Sequence, residues 1–143
     1  MANRFFAAIR LAALVGLAVT AGSRWMVRAE TQPEIKITEV PPARPGNPDE
    51  MHPIAGVVSG VVFRDHRVVI YAQAGDRWWV QPFDYAALTE IRSSGKFETE
   101  THPGAIYAAL LVTSAYRPKP TMHSLPEVGG EVVARYRVTG RRD

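Results

Sequence analysis

Apolar and polar positions along this chain change over at short intervals, and turn residues separate the stretches. Lys96 to Thr101 is the clearest case: Phe97, Thr99 and Thr101 fall on one side of an extended chain, and Lys96, Glu98 and Glu100 on the other, because successive side chains of a strand point to opposite faces. The pattern predicts a half-exposed strand. Val68-Val69-Ile70-Tyr71 and Ala108-Ala109-Leu110-Leu111-Val112 are apolar at both parities, which predicts central strands whose second face is covered by a neighbouring segment or a partner. Ile54 to Val58, Arg67 to Ala74, Trp78 to Gln81, Ile106 to Thr113 and Glu131 to Val138 read as strands too, and Glu34 to Val40 leads the set. Gly75-Asp76 is suited to a two-residue hairpin loop, while Ser93-Ser94-Gly95, Pro103-Gly104 and Gly129-Gly130 supply further turns. Helix is confined to a turn or two within Tyr85 to Ile91. The expected fold is all-β, an immunoglobulin-like or transthyretin-like two-sheet sandwich of about seven strands.

The first thirty residues follow a different rule. Arg4 and Arg10 precede an uninterrupted small and apolar run from Leu11 to Gly22, and polar chain follows. That order of charge and apolar residues is the pattern of a bacterial export signal, with an apolar stretch short for a membrane span. Val19-Thr20-Ala21 and Val27-Arg28-Ala29 both offer cleavage sites, and an uncut segment would stay as an anchor helix. Arg24 and Arg28 on the far side weaken the charge asymmetry that orients a lasting anchor. Residues 1–29 are thus a signal peptide or membrane anchor, 30–53 a first strand and proline-rich connection, and 54–143 the main body of the sandwich, completed by strand 34–40. Pro33, Pro41, Pro42, Pro45, Pro48 and Pro53 make Val40 to Pro53 an extended, helix-resistant connection. The expected location is exported across the cytoplasmic membrane: periplasmic, extracellular or tethered, with membrane contact only through the N-terminal segment.

Charge changes meaning once that segment is set aside. The whole chain is +3, but four of its arginines lie in the first 29 residues with no acid beside them, leaving 13 basic against 14 acidic residues. The exported part is therefore close to neutral, and basicity gives no argument for a nucleic-acid partner. With no cysteine in the chain, a disulfide framework, a thiol nucleophile and any thiolate metal site are excluded. No Gly-x-Ser-x-Gly frame surrounds a serine and no glycine-rich phosphate loop is present. A non-enzymatic protein with no cofactor is the expectation.

Two constellations carry candidate chemistry. If Trp78 shares Val80's inward face, Trp79 shares Gln81's outward one. An exposed Trp79 beside Tyr71, Gln81 or Asp76 would stack on a sugar ring while polar neighbours fix its hydroxyls. The alternative is that both indoles are packing residues, one in the core and one under the Phe83 to Ile91 loop. Glu98, Glu100 and His102, at i, i+2 and i+4, would line one face of an extended strand and are weak candidates for a metal or for acid/base work. The simpler reading is a solvated strand face. His52, His66 and His123 stand alone near turns.

Val69-Ile70-Tyr71, Trp78-Trp79-Val80-Gln81-Pro82, Thr89-Glu90-Ile91, Ser94-Gly95-Lys96-Phe97, Leu110-Leu111-Val112 and Tyr116-Arg117-Pro118 together resemble a small bacterial β-sandwich module of secreted proteins, often found beside carbohydrate-active enzymes. The resemblance spans about Ile37 to Val138. Where that module has an Asp-Gly turn followed by Trp, this chain has Ser94-Gly95 and Phe97. A looser likeness to carboxypeptidase-regulatory or transthyretin-like domains runs through Gly56-Val57-Val58, Gly95-Lys96-Phe97 and Gly104-Ala105-Ile106-Tyr107. The first resemblance implies a sandwich in a carbohydrate-related setting and assigns no catalytic residue; the second implies a sandwich alone. Three functions follow as expectations: an exported module binding a polysaccharide through the Trp79 face, an envelope-anchored structural or protein-interaction domain, or, least favoured, a small metal-dependent enzyme.

Overall fold

The structure, a computed structural model, describes residues 31–143. Its strands are β1 (Glu34–Glu39), β2 (His52–Ser59), β3 (His66–Ala74), β4 (Arg77–Gln81), β5 (Lys96–Thr101), β6 (Ile106–Thr113), β7 (Thr121–Met122) and β8 (Val132–Thr139). They form two antiparallel sheets, one in the order β1-β2-β5 and one in the order β7-β4-β3-β6-β8. All but the two-residue β7 correspond to strands expected from the hydrophobic pattern, within two residues at either end. The N-terminal signal or anchor segment expected at residues 1–29 lies outside the described residues. Among those described, no helix is long and apolar enough to cross a membrane.

Strand parity builds two cores. Between the sheets, Ile35, Ile37, Ile54, Val58 and Phe97 meet Val68, Ile70, Ala72, Tyr107, Ala109 and Leu111. The opposite parity of β3 and β6, namely Val69, Tyr71, Ala108, Leu110 and Val112, joins Trp78 and Val80 of β4 in a second cluster on the outer face of the five-stranded sheet. The chain between β6 and β8 covers that face with Tyr116, Met122 and Leu125. Two hydrogen bonds fasten this cover: Tyr71 Oη donates to the Lys119 carbonyl at 3.0 Å, and the Val80 N–H to the Pro120 carbonyl at 3.0 Å. The two-sided apolarity of β3 and β6 thus has its counterpart in a neighbouring segment of the same chain. In β5, Phe97 and Thr101 are buried and Lys96, Glu98 and Glu100 exposed, as the alternation predicts.

Local geometry follows from turn chemistry. In the β3–β4 hairpin Ala74 pairs with Arg77, so Gly75-Asp76 is the whole loop. Gly75 has φ +65° and, among the described residues, no non-glycine residue has positive φ, which fits a type II′ turn with glycine at its first central position. The short helix expected within Tyr85 to Ile91 is reduced to a 3-10 turn at Asp84–Ala86. Reciprocal backbone bonds between Val68 and Thr89, at 2.9 and 2.8 Å, draw the following residues into an extended bridge instead.

The proline-rich connection is also tied down. Pro42 and Ala43 form isolated bridges to Arg141 and Gly104, and the buried Tyr107 hydroxyl donates to the Pro42 carbonyl at 2.8 Å while accepting the Gly104 N–H at 3.0 Å. Removing one hydroxyl leaves both groups without that partner, at about 1–3 kcal/mol for a buried unsatisfied group. Tyr107→Phe is therefore expected to lower stability by about 2 kcal/mol, measured by urea unfolding. A loss within error of zero would show that this clasp does not hold the connection.

Candidate functional site

Trp78 and Trp79 part company because β4 is regular. Trp78 is 3 % exposed and turned into the outer cluster, whereas Trp79 is 45 % exposed. The Arg137 guanidinium lies 5.4 Å from the centre of the Trp78 ring, a cation–π arrangement that closes the remaining side of that indole. Trp79 points to the other face of the sheet, as does Gln81. Its cross-strand partner is Ala72, whose small side chain leaves room beside the indole.

That room is a groove. The three-stranded sheet ends at β5, which packs over β3, and no strand of it lies over β4. Around the uncovered part of the sheet stand Gly46, Asn47 and Pro48 of the proline-rich connection and His102-Pro103 of the β5–β6 corner. With Ala72, Ala74, Trp79, Gln81 and Pro82 they enclose about 530 Å³, within the size range of small-ligand clefts. The lining contains no Asp, Glu, Lys or Arg, so its chemistry is that of an aromatic face, prolines and a few neutral polar groups.

Hydrogen bonds assign those polar groups. Gln81 is 4 % exposed; its Oε1 accepts the His102 backbone N–H at 2.8 Å and lies 2.8 Å from His102 Nδ1, and its Nε2 donates to the Trp79 carbonyl at 3.2 Å. Trp79 Nε1 donates to the Ala74 carbonyl at 3.3 Å, and Asn47 Oδ1 accepts the Asp49 N–H at 2.9 Å. Phe83 sits edge-on to the His102 ring with centroids 5.4 Å apart, and stacks on Tyr85 at 5.0 Å with planes 3° apart. Phe83 and Tyr85 are exposed, so a stacked aromatic pair borders the groove at His102.

The four residues expected around a stacked ligand are therefore divided. Trp79 and Gln81 line the groove. Tyr71 is fully buried and pairs with Val80, on the opposite face from Trp79; burial, and then the neighbouring Tyr116, raise its phenol above the ordinary value. Asp76 is exposed in the hairpin turn and is absent from the lining. Nor are Glu98, Glu100 and His102 brought together. The two glutamates are on the solvated face of β5, with Glu98 3.4 Å from Arg92. His102 lies one residue past the strand, where its ring meets Gln81. Among the described residues no group of three or more His, Asp or Glu side chains is placed to hold a metal.

Sequence reasoning missed the contributions of Asn47, Pro48, Pro82 and Pro103 to the groove. The available signal was the pair of X-Pro steps, Gln81-Pro82 and His102-Pro103, each placed where a strand ends. No protein-family model, no curated protein and no solved structure matches the chain.

Proposed function

We propose that this protein is an exported, non-enzymatic binding module that seats a carbohydrate in the Trp79 groove. The observation that carries the reading is the half-exposed indole of Trp79 at the edge of a cleft of about 530 Å³. A flat, rigid aromatic face gives a sugar ring a large contact at little entropic cost. The uncharged lining supports the non-enzymatic part, since hydrolysis of a glycosidic bond ordinarily needs a pair of carboxylates. The resemblance of Trp78 to Pro82 and its companion motifs to a module found beside carbohydrate-active enzymes supports the ligand class, and the charge pattern of residues 1–29 supports export. For the fold, the partition of β1-β2-β5 against β7-β4-β3-β6-β8 supports the immunoglobulin-like reading of the sandwich over the transthyretin-like one. The Tyr107 hydroxyl, bonded to backbone three residues upstream, is akin to a tyrosine corner.

The test is a panel of soluble glycans and cell-envelope polysaccharides offered to the protein recovered after export. Saturable binding is expected, and Trp79→Ala should reduce it at least about tenfold, the scale of losing one stacked aromatic. The melting temperature should stay within about 5 °C, because truncating a half-exposed side chain costs little. A folded wild-type protein that retains no glycan would overturn the carbohydrate reading. The exposed stack of Phe83 and Tyr85 favours the second reading, an envelope domain that engages another protein. Its partner would be captured equally well in the presence of free sugars.

A further inference from the structure

We infer that His102 is the hydrogen-bond acceptor of this site, receiving a hydroxyl of a pyranose stacked on Trp79, and that Gln81 positions the imidazole by fixing which nitrogen carries the proton. The inference rests on the carbohydrate reading above and assigns the polar half of the recognition.

The argument begins with the orientation of a buried amide. A carboxamide oxygen only accepts and its nitrogen only donates. The Gln81 side chain meets two main-chain groups that cannot exchange roles: the His102 N–H, which must donate, and the Trp79 carbonyl, which must accept. Together they place Oε1, and not Nε2, against the imidazole. At 2.8 Å from Oε1, His102 Nδ1 must therefore carry the hydrogen. In the neutral ring that leaves Nε2 bare, with its lone pair free to accept. Turning the ring over would set a carbon against Oε1 and lose the bond.

The other side-chain polar atoms of the groove, the Asn47 amide nitrogen excepted, are already engaged. Both ends of Gln81, the Trp79 indole N–H and Asn47 Oδ1 all have partners within the domain. Gln81 is thus a positioning residue and not the direct ligand contact expected of it. A wall that presents one fixed acceptor beside an aromatic face selects a ligand with a flat apolar side and a neutral donor at its edge. A pyranose hydroxyl meets that description. A carboxylate or phosphate oxygen has no proton to give to Nε2, so the group read at this position is a hydroxyl.

The experiment uses the methyl pyranosides of glucose, galactose and mannose, together with monodeoxy derivatives of whichever binds. Long-range nitrogen–proton NMR of the free protein should place the His102 proton on Nδ1, and Gln81→Met should release that preference. A binding pyranoside should move the Nε2 resonance and quench Trp79 fluorescence together. His102→Phe, which keeps a ring against Phe83 and removes the acceptor, should weaken binding by about five- to tenfold, the worth of one hydrogen bond. It should also make the protein indifferent to loss of the hydroxyl that wild type reads, a coupling that a merely structural role would not produce. Fluorescence quenching that is lost in Trp79→Ala while Nε2 stays unmoved would overturn the role of His102 and leave the carbohydrate reading standing. A proton found on Nε2 would do the same. If no pyranoside perturbs either residue of the folded protein, both fall.

Discussion

Replacing Gly56 with alanine should destabilise the domain by about 3 kcal/mol or more, the upper part of the range for inserting atoms into a filled interior. Gly56 is an inward position of β2, paired with Ile37 on one side and Phe97 on the other. A Cβ there would run into the Lys36 carbonyl oxygen and lie 2.5 and 2.7 Å from two atoms of the Phe97 ring. The ring has some freedom to yield, but the carbonyl belongs to the adjoining strand and moves only if β1 moves. The backbone at Gly56 is not among those with positive φ, so space and not conformation demands the glycine. For a domain of this size each kcal/mol lowers the melting temperature by about 4 °C. A fall of about 12 °C or more is expected in a thermal melt, and one below 3 °C would mean that β1 is not packed against this position. Phe97→Leu in the same background should recover only part of the loss, because it relieves the ring contact and leaves the carbonyl.

Adjacent tryptophans should give opposite results. Trp78→Ala removes a ring that is 3 % exposed, packed among the residues of the outer cluster and faced by Arg137. Large-to-small changes of a buried aromatic cost about 3–5 kcal/mol, which is much of the 5–15 kcal/mol available to a small domain. The loss should centre on the cover between β6 and β8, whose Met122 pairs across from Trp78 in the β4–β7 ladder. Amide hydrogen exchange is therefore expected to accelerate first around Thr121 and Met122, before the strands between the sheets. Trp79→Ala, one residue on, should leave that exchange pattern and the unfolding midpoint close to wild type. Equal destabilisation by the two substitutions would show that Trp79 is a packing residue and would remove the basis for a binding groove.

Much of the architecture was legible because it depends on local periodicity. The alternation in Lys96 to Thr101, the two-sided apolarity of β3 and β6 and the Gly75-Asp76 turn each state a strand or its ends within a few residues, and the folded chain has them there. The parity argument also separates Trp78 from Trp79 correctly in kind. Parity is relative, however, and it says nothing about which strands are stacked on which. Tyr71 was grouped with Trp79 by nearness in a hairpin, yet it pairs with Val80 and faces the other way. His102 was counted as the next member of the β5 face, but the strand stops at Thr101 and the ring is taken up by a glutamine 21 positions earlier. The proline-rich connection read correctly as extended chain. That it returns to form a wall of the groove depends on contacts with Arg141, Gly104 and Tyr107, 61 to 99 residues farther along the chain, and no short window contains that information.

The register of the smaller sheet also gives the domain a head and a foot. Thr31 to Pro33 lead into Glu34, which pairs with Ser59, and Gln32 and Pro33 lie against Gly60. His52 pairs with Thr101 at the other end, and the groove begins at the next residue, His102. The two ends are separated by the length of β2, roughly 24 Å at 3.4 Å per residue. Whatever holds the chain from its N-terminal side therefore holds it by the foot, while the groove is carried on the head. If the groove seats a glycan as proposed, copies fixed side by side would present their grooves together to a repeating polymer. Weak individual contacts would then add as avidity, so that density on a surface, more than the affinity of one domain, would set how firmly such a polymer is retained.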